Sequence, residues 1–382
     1  MQLSYHTYTD AWDTPLQTSL DSKNTLVIVF GTSKSIKIVE PFNQLINDFP
    51  SSIFIGASSA GEIAQEELLE DSLVVAVIAF KHTKIKLVSH SAASHHSSFD
   101  DGRAVAESLL EDDLTAVFVL SDGLNVNGSQ LTKGLSSIFS NDIIVTGGLA
   151  GDDDRFESTW VIVDGELRSH YVTAVGLYGE HVHVAYGSRG GWDKLGIARK
   201  VTRSTDNILY EIDNQPALEI YKQYLGDKAA GLPATGLLFP LQLTEDYAKG
   251  EAKVRTILSV NESEQSITFA GDIPEGSLVS LMKANYDRLV DGALGAAESV
   301  DLKGHDNEPV LSIAISCVGR RLVLKQRTEE ELEAILEVFP SNTAQIGFYS
   351  YGEISPLTDG RCDLHNQTMT LTLIWESDAP IA

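Results

Sequence analysis

The sequence predicts an α/β protein of repeated βαβ units. Its sheets are expected to be largely parallel in the N-terminal part and at the C-terminal end, with an antiparallel, β-rich insertion around residues 200–285. Three observations lead there. Three segments share one order of features, an internal repeat that propensity alone does not produce. The middle stretch of each carries apolar residues at helical spacing between two apolar, β-branched runs. Between the second and third copies the pattern changes to short strands punctuated by turn residues.

The first copy runs from TLVIVFG (25–31) through a helical stretch ending at Phe49 to FPSSIFIGASSAGEI and the strand LVVAVIAF (73–80). The second runs from AVFVLSDG (116–123) through QLTKGLSSIF to FSNDIIVTGGLAGDD and TWVIVDG (159–165). The third runs from VLSIAISCVG (310–319) through TEEELEAILEVF to FPSNTAQIGFYSYGEI and MTLTLIW (369–375). Phe49 to Gly61 and Phe139 to Gly151 each span 12 residues, and Phe339 to Gly352 spans 13. Leu45, Ile46 and Phe49 share a helix face, as do Leu135, Ile138 and Phe139, and Leu332, Ile335, Leu336 and Phe339. Thr328 and Glu331 have the spacing of a capping box, and the other acids of the EEEL run read as a solvated helix start. A strand–helix–strand crossover makes its strands parallel and lays the helix on one sheet face.

Segment 201–225 reads as a hairpin followed by a helix carrying Ala217, Leu218, Tyr221 and Leu225. KVRTILSV, ESEQSITFAGDIPEG and SLVSLM read as antiparallel strands, with turns at 261–265 and at Pro274 and Gly276. Four glycines within GSRGGWDKLG (187–196) place a domain boundary near 190–200, dividing the chain into 1–195 and 196–382.

Twenty-eight basic residues against 54 acidic ones give a net charge of −26. Because nucleic-acid affinity comes mostly from Lys and Arg neutralising phosphates, this excludes DNA, RNA and anionic membrane surfaces as partners. The apolar run at 73–80 is far shorter than the roughly 20 residues that span a bilayer. The N-terminus lacks a basic start and an apolar core, and Cys317 and Cys362 form neither a disulfide framework nor a metal knuckle. A cytoplasmic location is expected.

Ligands of parallel α/β sheets bind beyond the carboxyl ends of strands, where glycines let backbone N–H groups approach. Gly56–Glu62, Gly147–Asp153 and Gly347–Glu353 sit at such ends. Glu62, Asp152 and Glu353 then either hold an amine or cap backbone amides. GASSA (56–60) falls one residue short of the nucleophile elbow, leaving Ser58 as a weak hydrolase candidate. Cys362 and His365 form a CxxH pair that offers a thiolate or imidazole to a metal or haem iron, or else a buried thiol and a hydrogen-bonded histidine. His181 and His183 have the spacing of a two-histidine metal site on one strand face. His90, His95 and His96 read as a polar loop.

GASSAGEI, GGLAGDD, VTRSTDNILYEIDNQPALEIY, FPLQL with VRTI, FAGDIPEG, SCVGRR, and GFYSYGEI with CDLHNQTMTLTL together resemble the FIST family, named for F-box and intracellular signal transduction proteins. The resemblance covers nearly the whole chain. It implies a cytoplasmic ligand-binding sensor rather than an enzyme, with amino acids or other small metabolites as one ligand class. A stand-alone bacterial form binds haem and senses nitric oxide, which implies haem as cofactor and a separate histidine kinase or cyclic-di-GMP enzyme as partner. By position, the family's glycine turn falls on Gly56, Ser58, Ser59, Gly61 and Glu62, and its second turn on Gly147, Gly148, Gly151 and Asp152. The C-terminal signature falls on Gly347, Tyr349, Tyr351, Gly352, Glu353, Cys362, His365 and Asn366. His365 is the first choice of haem ligand, followed by His181 and His183. An exposed strand edge beside LVVAVIAF or MTLTLIW would support a homodimer.

Overall fold

The computed structural model describes residues 1–92, 97–244, 253–303, 305 and 308–378, without the side chains of residues 35 and 36. The fold is mixed α/β. Strands Thr25–Thr32 and Ile53–Ser59 pair in parallel across helix Ser35–Asp48, with Leu26 opposite Ile53. Strands Leu114–Ser121 and Ile144–Leu149 do the same across helix Gly128–Ser136, as do Val310–Cys317 and Thr343–Ser350 across helices Val318–Leu324 and Thr328–Leu336.

These sheets are mixed rather than largely parallel. Each of the three six-stranded sheets holds one parallel pair, because only a crossover yields one; every other neighbour arrives antiparallel. The order is the same in each: an outer strand, an antiparallel strand, the parallel pair, and a terminal hairpin. That hairpin comes from elsewhere in the chain. Hairpin 161–168 completes the first sheet, 352–365 the second and 62–69 the third, so each unit lends the segment beyond its glycine turn to another unit's sheet.

Alternation along the strands explains the layers. Leu26, Ile28 and Phe30, Ala116, Phe118 and Leu120, and Leu311, Ile313 and Ile315 point into one central cluster, where Phe30 stacks on Phe348. Val27 and Val29 point outward onto Ile38, Phe42, Leu45 and Phe49, and Val117 and Val119 join the cluster of Leu131 and Leu135. Three sheets thus enclose a shared core and carry their helices outside. Each large apolar side chain buried there contributes roughly 1.5–3 kcal/mol.

Strand Val182–Arg189 leads into the inserted body, a nine-stranded sheet with helix Ala217–Leu225 and a core of its own around Val201, Leu209, Ile257, Ile267 and Phe269. Its pairs are antiparallel, as expected. The strands at 73–79 and 369–376 are not sheet edges, since each is paired on both sides. No helix among the described residues is long and apolar enough to cross a membrane.

Candidate functional site

The three glycine turns meet one another. Gly151 N–H donates to Ser58 O, Ala60 N–H to Tyr349 O, Tyr349 N–H to Gly61 O, and Tyr351 N–H to Leu149 O, at 2.8–3.2 Å. Close approach sets the glycine requirement: a Cβ on Gly56, Gly147 or Gly347 would lie 2.2, 1.8 or 1.8 Å from the carbonyl oxygen of Val29, Val119 or Ala314 in the preceding strand. A Cβ on Gly148 or Gly151 would crowd Gly352 O or Tyr349 O in the same hub, and one on Gly61 would meet Arg321. Ser58 is fully buried, its Oγ accepting from Trp160 N–H at 3.0 Å, and Ser59 Oγ accepts from Gly61 N–H at 2.8 Å. Both hydroxyls serve the turn, and Ser58 lies where no solvent-borne substrate reaches it.

The three acids are buried and hydrogen-bonded. Glu62 accepts from Ser72 N–H and Oγ–H, Asp152 from the N–H groups of Phe156, Glu157 and Ser158, and Glu353 from Thr368 N–H and Oγ1–H and from Ser350. Tyr351 Oη also donates to Asp152, and Tyr349 Oη donates to Glu331 at 2.8 Å. Burial pushes the Glu62 carboxyl up to about 7 and that of Glu353 to about 8, because the charged form loses hydration that its hydrogen bonds only partly replace. Beside Glu62 lies a recess of about 60 Å³, lined by Lys34, Asp71, Asp153, Arg155 and Arg321. Its charges are tied: Lys34 to Asp71 at 3.1 Å, Arg155 to Ser33 at 2.7 Å, and Arg321 to Ala60 O, Asp153 and Glu70.

Sequence reasoning misread Glu331. No capping box forms at Thr328, whose hydroxyl instead donates to Lys325 O. Glu331 is fully buried and pairs with Arg320 at 2.7 Å, and Arg320 also donates to Leu289 O and Gly190 O. The signal was present as two arginines after SCVG, but nothing local says that one of them points inward.

Cys362 and His365, three residues apart on strand Cys362–His365, project to opposite faces and form no joint ligand pair. His365 donates its Nε2 proton to Ser355 O at 3.1 Å, and burial lowers its pKa, so the ring is neutral near pH 7. It lines a chamber of about 140 Å³ with Lys253, Asp363 and Asn366. A haem does not fit there. A cavity of about 150 Å³ takes a benzene-sized molecule, far smaller than a porphyrin. His181 Nδ1 lies 3.0 Å from Ser377 O with its ring stacked on His82, and His183 Nε2 lies 2.9 Å from Ser377 Oγ, stacked on Trp375. Among the described residues no three His, Cys, Asp or Glu side chains gather as metal ligands. His90 approaches Asp101 at 3.3 Å, while His95 and His96 lie outside the described residues.

The chamber at His365 shares Lys253 and Asp363 with a cleft of about 310 Å³ that sequence reasoning missed. Helix Gly128–Ser136 forms one wall, strand Lys253–Arg255 with Asp272 another, and the end of hairpin 352–365 the third. Lys133, Lys253, Arg255 and Arg361 face Asp272 and Asp363, a formal charge of +2 in a chain of −26. The same residues tether the inserted body to the core. Asp272 accepts from Asn127, Gln130 and Lys133 at 2.6–2.9 Å, Lys253 pairs with Asp363 at 2.7 Å, and Arg255 donates to Asp272 O and Leu364 O. The contributors come from three separate segments, 129–137, 253–274 and 361–363, so no spacing motif announces them.

A core of three sheets thus carries an inserted antiparallel body, with a polar cleft between them. Residues 25–215 match the FIST N domain and residues 217–356 the FIST C domain, and the chain belongs to the FIST family. FIST domains are small-ligand-sensing domains of signal transduction, sensors rather than enzymes. An uncharacterized protein of Methanocaldococcus jannaschii is 22% identical over 368 residues, covering 86% of this chain and 65% of the relative. The chain thus spans less than two thirds of that relative's length.

Proposed function

We propose that the protein senses a small anionic metabolite bound in the basic cleft, and that occupancy changes how the inserted body sits on the core. One observation carries this reading: three of the cleft's cations, Lys133, Lys253 and Arg255, are also tethers between the inserted body and the core. A ligand bonded to both walls favours one arrangement of the body over the others, and a partner protein reads that arrangement. A histidine kinase or cyclic-di-GMP enzyme as the receiver rests on the family resemblance alone, and so do haem and nitric oxide.

Hydrogen exchange and thermal unfolding, run with carboxylates, amino acids and haem, test the proposal. A ligand should raise the unfolding midpoint and protect amides at 253–256 and 361–366, and Lys253→Glu should remove both effects. Protection confined to the glycine turns would overturn it. A sharp, gas-responsive Soret band lost in His365→Ala would return the assignment to haem.

A further inference from the structure

The six charged side chains that line the cleft do not cancel. Lys133 pairs with Asp272 at 2.7 Å and Lys253 with Asp363 at 2.7 Å, which leaves Arg255 and Arg361 over. Arg255 is 2% exposed and donates to the carbonyl oxygens of Val254, Asp272 and Leu364, which bind its N–H groups without cancelling its charge. Arg361 stands at the rim with more than half of its side chain exposed. Asp359, which does not line the cleft, lies 3.9 Å from its guanidinium, beyond hydrogen-bond reach. An ion pair so exposed is screened by solvent and holds the arginine weakly.

Two of the cations are within reach of a dissolved ligand. Lys133 has more than half of its side chain exposed and spends one of its three donors, on Asp272. The Arg361 guanidinium makes no hydrogen bond among the described residues. Arg255 needs no contact, because its charge acts through space across a cleft with low-dielectric walls. The charge of −26 summed over the chain is screened beyond about 8 to 10 Å at physiological ionic strength, so the local surplus decides what the cleft attracts. A monoanion leaves one positive charge unanswered, and a dianion answers both. The volume of about 310 Å³ is roughly twice that of a cavity that takes benzene, which is room for a four-carbon diacid.

We propose that the cleft selects small organic dianions over monoanions of the same shape, with Lys133 and Arg361 donating to the ligand at the rim and Arg255 adding its charge from the floor. The assignment rests on the cleft being the ligand site.

Succinate, its monoamide and its diamide share one skeleton and carry two, one and no negative charges, so calorimetry with the full chain at pH 8 reads the effect of charge, and hydrogen exchange locates the binding. Succinate should bind about tenfold more tightly than the monoamide, as expected for one further charge-assisted contact, and should protect 253–256 and 361–366. Arg361→Gln should bring the two affinities together, a readout that a merely structural role would not move. Lys133→Gln should weaken succinate about tenfold. Glycerol phosphate carries both charges on one group: binding tighter than succinate would support the dianion as a phosphomonoester, and weaker binding would support it as a diacid. Equal affinities for succinate and its monoamide, with protection still at 253–256 and 361–366, would overturn the dianion and leave the cleft reading intact. Binding that protects other segments and survives both substitutions would overturn the cleft reading as well. No binding of succinate or glycerol phosphate would sink the ligand class.

Discussion

The recess at the first glycine turn and the cleft beneath the inserted body draw on the same residue types and differ in what they leave over. At the turn, Lys34, Arg155 and Arg321 meet Glu62, Glu70, Asp71 and Asp153 in about 60 Å³, and the cations are bonded within the recess or to Ser33. In the cleft, four cations meet two carboxylates in about 310 Å³, which leaves two positive charges over. The turn carries the repeated motif; the cleft carries none. Motif strength here marks where backbones must pack closely, while surplus charge collects where side chains of distant segments meet.

The largest effect should come from breaking the hub. Gly147→Ala would drive a Cβ into Val119 O at a backbone φ of +147°, and a loss above about 4 kcal/mol is expected in chemical denaturation. A loss under about 1 kcal/mol would mean that the turns can separate, and the contrast between the two recesses would weaken.

The next effect concerns pH. The carboxyls of Glu62 and Glu353 are raised in the fold, so their contribution is complete below about pH 4 and is lost as pH rises toward 7 and 8. Glu62→Gln and Glu353→Gln should each flatten that decline, with an effect on the order of 3 kcal/mol. Glu376, held down to about 2 by hydrogen bonds from Thr83, Lys81 and His82, loses its contribution in the opposite direction, as pH falls below about 4. Unfolding midpoints from pH 2 to 9 check both signs, and a Glu62→Gln profile that still falls as steeply as wild type would remove the assignment.

Arg321→Ala removes a clasp between the third crossover and the first turn, at an expected cost of about 1–3 kcal/mol. It should leave any ligand-induced shift in midpoint unchanged. Lys253→Gln should differ in the second respect. Its ion pair with Asp363 is largely buried, so a stability loss of about 1–3 kcal/mol is expected while the ligand response disappears. A ligand response that survives Lys253→Gln and fails in Arg321→Ala would exchange the roles of the two recesses.

Much of the architecture was legible from the residues. The apolar runs at 25–31, 116–121 and 310–317 became the first strands of three crossovers, and the outward faces at Leu45 and Phe49 and at Leu332 and Ile335 became helix contacts with the sheets. The antiparallel insertion was visible as a change of period. Glu331 was not, since a solvated helix start and a buried arginine partner look alike in sequence.

Local pattern, then, determined which segments are strands, which are helices, and where glycine is obligatory, because those choices depend on neighbours a few residues away. Tertiary structure alone decided that hairpins 62–69, 161–168 and 352–365 complete sheets other than those of their own units. It also decided that Lys133, Lys253, Arg361 and Asn366 share one cleft system. A strand edge accepts any extended partner in register, so the choice among partners falls to the packing of the whole core. A site drawn from several such partners exists only once that choice is made.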